Sequence, residues 1–133
     1  MQIEEATWLA GLISEVVAQI NDGPGLTIEV EGRPHLWLQV IPESGDDGSL
    51  TGFLLNMPYR EHQGDPLETL AKSGFAAPPG TVAVRWEDGQ VAQLWVRPDI
   101  PMIPLALLVG DLLERLVGAP AESELTVQIE RGY

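Results

Sequence analysis

Few side chains in this sequence suit catalysis near neutral pH. It contains two histidines, one lysine and no cysteine. His35 falls in a strand pattern and His62 in an irregular connection. Neither sits in a HExxH or comparable metal-ligand spacing. The adjacent carboxylates Glu4-Glu5, Asp46-Asp47 and Glu87-Asp88 do not make an acid/base pair, because sequence neighbours diverge on a helix or strand. Asp46-Asp47-Gly48 lacks the remaining ligands of a calcium loop. No GxGxxG, GxxxxGK[ST] or GxSxG motif occurs, so phosphate cradles and nucleophile elbows have no sequence signature here. The expectation is a chain without enzymatic activity, with no catalytic residues, no cofactor and no metal.

Chemistry by contact is the alternative, and apolar patterning carries it. Residues 3–20 place Ile3, Ala6, Leu9, Ala10, Ile13, Val16, Val17 and Ile20 at helical spacing, with Trp8 and Leu12 widening the stripe. So broad a stripe needs cover from its own sheet or from a second subunit. Asn21-Asp22-Gly23-Pro24-Gly25 ends the helix. Leu26, Ile28 and Val30 then alternate with polar residues, as in a strand with one wet face. Residues 35–41 are apolar on both faces, with Leu36, Leu38 and Val40 on one and Trp37 and Ile41 on the other, which predicts a central strand. A third strand spans residues 50–57.

Residues 65–73 form a short helix, capped by Asp65, with Pro66 in its first turn, Glu68 at capping-box spacing and Gly74 to end it. Glu68 and Lys72 are spaced as an i,i+4 pair. Residues 81–87 and 90–97 make a hairpin around Asp88-Gly89. Val82, Val84 and Trp86 are expected on one face, opposite Ala92, Leu94 and Val96. After a proline-rich connection, residues 105–117 form a very apolar helix. Leu125, Val127 and Ile129 mark a last strand. The expected fold is α+β, a single domain over residues 1–133, with a mostly antiparallel sheet and flanking helices in the order α-βββ-α-ββ-α-β.

Twenty acidic residues against seven basic ones leave a net charge of −13. Such a chain repels phosphate backbones, so nucleic acid is not an expected partner. The acidic N-terminal residues do not resemble a secretory signal, and the longest apolar run, 105–110, is far short of the about 20 residues of a membrane span. Cytoplasmic residence without membrane attachment is the expectation.

The second half carries a resemblance. Leu70-Ala71-Lys72-Ser73-Gly74-Phe75 is followed by Pro78, by a hairpin with Trp86 and Trp95, and by Pro98-Asp99. An apolar helix then ends in Leu113-Glu114-Arg115-Leu116-Val117-Gly118, before Pro120 and a strand at Leu125. This pattern, over roughly residues 65–130, resembles the type III secretion chaperone-like domains related to the YbjN proteins, common in actinobacteria. The resemblance implies an α+β fold, frequent homodimers, and binding of extended peptides or proteins without catalysis.

Trp37, Ile41 and Trp95 fall on strand faces opposite the residues assigned to the main core. They form an aromatic patch if helices cover only one sheet face, and they are the candidate binding residues. The other possibilities for them are a dimer interface and plain core beneath a helix. A second functional expectation is an acidic immunity or antitoxin-like protein that blocks a basic toxin.

Overall fold

The computed structural model describes residues 1–131. The chain runs α1 (Ile3–Ala18), a short 3₁₀ turn (Ile20–Asp22), β1 (Gly25–Val30), β2 (Arg33–Ser44), β3 (Leu50–Pro58), α2 (Pro66–Lys72), β4 (Val82–Glu87), β5 (Val91–Val96), α3 (Met102–Leu112) and β6 (Leu125–Glu130). The six strands form one sheet in the order β4-β5-β3-β2-β1-β6, and every neighbouring pair is antiparallel. This is the expected α+β order. No helix among the described residues is long and apolar enough to cross a membrane.

Strand alternation sorts the side chains onto two faces. Leu26, Ile28 and Val30 of β1, Leu38 and Val40 of β2, Phe53, Leu55 and Met57 of β3, and Ala92, Leu94 and Val96 of β5 are all buried on one face. The helices close over that face. Ala6, Leu9, Ala10, Ile13 and Val16 of α1 join Leu105, Leu108, Val109 and Leu112 of α3 in the same core. α1 and α3 lie side by side, with small residues at Ala6, Ala10, Ala106 and Gly110, all buried. The wide apolar stripe of α1 is therefore covered by its own sheet and α3. Trp8 and Ile3 remain outside, 47% and 60% exposed.

The local sequence signals explain most element ends. Asp65 caps α2 by accepting a hydrogen bond from the Leu67 amide at 2.8 Å, and Pro66 occupies the first helical position, where its missing N–H costs nothing. Glu68 and Lys72, expected to pair, form no ion pair among the described residues. α3 begins three residues before its expected start, at Met102, because Pro104 still lies in the first turn. Its last turn loosens into a π-helix, Leu113–Val117, capped by Gly118 in the left-handed region at φ 91°.

Two strands depart from the expected pattern. β2 extends to Ser44 and carries Pro42 within it. In β4 the register shifts between Ala83 and Arg85. The bulge leaves Val84 54% exposed, pairs Val82 with Trp95, and places Trp86 opposite Ala92. Val82, Val84 and Trp86 therefore do not share one face. One extra residue on a strand reverses the alternation after it.

Tyr59, just past β3, is fully buried and fastens the connection to α2. Its hydroxyl donates to the Gly64 carbonyl at 2.9 Å and shares a 2.7 Å hydrogen bond with the Thr69 hydroxyl. Burial pushes its phenol above the ordinary value. Tyr59→Phe leaves both partners short of a hydrogen bond and is expected to cost about 1–3 kcal/mol in urea unfolding. In the turn between β1 and β2 the Glu31 carboxyl is raised above its usual range, first by a hydrogen bond with the Glu124 carboxyl and then by repulsion between the two. A raised folded-state value contributes stability that is complete below the ordinary 4.5 and is lost as pH rises through the raised value above it. Glu124→Gln is therefore expected to raise the melting temperature at neutral pH and to have little effect in acid, as followed by circular dichroism.

Candidate binding face

The sheet face turned away from the helices is built in rows, because antiparallel register sets residues of successive strands directly opposite one another. One row is apolar. Ile41 of β2 stands opposite Leu54 of β3, Leu54 opposite Trp95 of β5, and Trp95 opposite Val82 of β4. The next row is polar and crosses all six strands: Arg85, Gln93, Asn56, Gln39, Thr27 and Gln128. Beyond it Trp37 stands opposite Glu29, and Val91 opposite Pro58 and Glu87.

All three candidate residues lie on this helix-free face and are partly exposed. Ile41 and Trp95 belong to the same row, joined by Leu54. Trp37 is separated from Ile41 by Gln39 and by about 13 Å along the strand, at about 3.3 Å per residue. The structure therefore divides the expected patch into an apolar row and a separate tryptophan, with an amide band between them. None of the four tryptophans is buried in the core. Trp86 is 38% exposed at the β4 edge.

Gly52 shapes the apolar row. It is buried in β3, and a Cβ built there would fall on Nε1, Cε2 and Cζ2 of the Trp95 indole. The indole packs directly against the glycine, a close approach that a strand glycine permits. The polar row is less settled. The Asn56 side-chain amide donates to Gln39 Oε1 at a long 3.4 Å. Its Oδ1 is buried and has no hydrogen-bond partner among the described residues. An acceptor left this way costs about 1–3 kcal/mol.

Sequence reasoning missed Leu54, Gly52 and the amide band. The isolated glycine inside a strand pattern was the available signal, since it marks a close approach. The amides gave none, because their convergence depends on strand order.

The histidines and the adjacent carboxylates fall in separate settings along the chain. His35 is exposed on β2. His62 is partly buried, with Nε2 3.0 Å from the Leu116 carbonyl and its ring 5.2 Å from that of Tyr59. Asp47 accepts from the Ser49 hydroxyl and amide at 2.6 and 3.0 Å. These bonds hold its carboxyl below the usual range and shape the turn between β2 and β3. No group of three His, Asp or Glu side chains able to hold a metal ion occurs among the described residues. Comparison with protein-family models, curated proteins and solved structures gives no match.

Gly52→Ala is expected to expel the Trp95 ring from its place. Such overpacking costs about 1–3 kcal/mol in chemical denaturation and should red-shift tryptophan emission as the indole meets water.

Proposed function

We propose that this chain is a non-catalytic protein-binding module that holds an extended segment of another protein across its helix-free sheet face. The observation that carries this reading is the apolar row Ile41–Leu54–Trp95 beside a band of amide side chains on the helix-free sheet face. The row offers aromatic and aliphatic area, which dominates interface energetics. The partly exposed amides Gln39 and Gln93 of the next row offer hydrogen-bonding groups to a peptide backbone. A peptide laid over the face would meet both at once, with Trp37 as a second anchor beyond the amide band. Glu29 and Glu87 on the outer row would repel acidic segments and so narrow the choice of partner.

This reading places the chain with the secretion chaperone-like and YbjN-like domains, which its α-βββ-α-ββ-α order over the first 117 residues and its C-terminal sequence pattern support. Self-association and a cytoplasmic setting belong to the same reading. Light scattering at high micromolar concentration tests the first, and a clean monomer counts against it.

The face itself is tested with a displayed library of short unstructured peptides. Trp95→Ala and Trp37→Ala should each weaken the selected peptides about tenfold or more, as for anchors in a binding surface, with the fold intact by circular dichroism. Asn56→Leu removes a buried unpaired acceptor and should leave the free protein as stable as before or more so. Unchanged affinity in both folded tryptophan variants would reject the face.

A further inference from the structure

A cleft of about 330 Å³ opens where β2 begins, β3 ends and α3 finishes, lined by Arg33, His35, Arg60, Glu61, His62 and Leu116 among others. Its charge runs against that of the molecule. The chain has seven Lys and Arg residues and two histidines among twenty acidic side chains. Two of those cations and both histidines meet in this cleft.

The arginines differ in what they touch. Arg85, Arg97 and Arg115 pair with Glu87, Asp99 and Asp111 at 3.0–3.4 Å, and Arg131 donates to Gln19 at 2.9 Å. Arg33 and Arg60 are exposed and have no ion pair or side-chain hydrogen bond among the described residues, although Glu61 lines the same cleft. In so acidic a protein, two arginines that line one cavity without an ion pair among the described residues are available to a ligand.

The wall that carries Arg60 and His62 is already held in place. The His62 carbonyl accepts from the Gly89 amide at 3.0 Å, and the Gly64 amide donates to Asp88 Oδ1 at 2.9 Å. The Tyr59 amide donates to the Gln90 carbonyl at 2.8 Å, and the His62 ring rests at the Leu116 carbonyl. The β4–β5 hairpin tip and the end of α3 thus fix residues 59–64 from two sides. A rigid wall loses little freedom when a ligand arrives.

We propose that this cleft is an anion site that takes a carboxylate group between the guanidiniums of Arg33 and Arg60. The planar fork of arginine matches a carboxylate in two hydrogen bonds. A carboxylate is favoured over a phosphate because repulsion from Glu61, from the carbonyl end of α3 and from the −13 surface grows with the ligand's charge. The volume admits a carboxylate carried on a larger body, either a small organic acid or an acidic residue of another protein. The site stands apart from the peptide reading of the sheet face, since it is carried by different residues.

The test is an NMR titration of the whole chain at constant ionic strength, with succinate in one arm and an end-capped glycine-rich peptide bearing one glutamate in the other. Saturable shifts of the Arg33 and Arg60 Nε–H signals are expected in at least one arm. Succinate alone would identify a small acid as the ligand, the peptide alone a protein partner, and both the carboxylate irrespective of its carrier. Arg33→Gln and Arg60→Gln should each weaken binding about tenfold or more, the loss of a charge-assisted pair. Arg60→Lys should recover only part of it, and Arg97→Gln should change nothing. No saturation in either arm, unchanged affinity in the Arg33 and Arg60 variants, or tighter binding of inorganic phosphate than of succinate would each overturn the assignment.

Discussion

Packing of the helices against one face of a single sheet is the constraint on which the rest of this structure depends. α1 and α3 bury Leu9, Ile13, Leu105 and Leu112 against Leu38, Val40, Leu55 and Leu94. Burial of this kind contributes roughly 1.5–3 kcal/mol for each large apolar side chain, so the choice of face is strongly enforced. Every strand residue must then point either into that layer or away from it. The face that points away has no helix, and whatever it carries is left half-covered by its neighbours. Two tryptophans, an isoleucine and a leucine are on that side. A sheet that only needed a wet face would carry polar residues there.

The second organising feature is the region around Tyr59. Its ring is fully buried, its hydroxyl reaches Gly64 and Thr69, and its amide reaches Gln90. It links the end of β3, the start of α2 and the β4–β5 hairpin. The connection of residues 60–64 would otherwise be an ordinary surface loop. Held this way, it becomes one wall of the cleft that collects both histidines with Arg33 and Arg60. The two surfaces have different character. The sheet face is apolar with an amide band, and the cleft at its end is cationic.

Charge has the clearest effect at long range. Twenty acidic side chains give the surface one sign, and three of the six arginines are taken up by nearby carboxylates, two of them at exposed sites. Such exposed pairs add little stability. Their consequence is that a cation left unpaired stands out, which is why Arg33 and Arg60 are informative and Arg85 is not.

Much of this was legible in the residues themselves. The alternation in 26–30 and 125–129, the Asp65–Pro66 start of α2 and the glycine of the β4–β5 hairpin are local signals, and each element formed where they pointed. The outward direction of Trp37, Ile41 and Trp95 was also legible, because it follows from a period of two along their own strands. The bulge at Val84, the row joining Ile41 to Trp95 through Leu54, and the glycine under the indole were not. Each depends on which strand lies alongside, and β5 reaches β3 only because the chain goes out through α2 to the edge strand and returns. The meeting of Arg33 with Arg60, and of His35 with His62, is of the same kind. A sequence specifies which way a side chain points along its own strand. Only the closed tertiary structure decides what stands opposite it, because strand order and loop anchoring are set by contacts between distant residues.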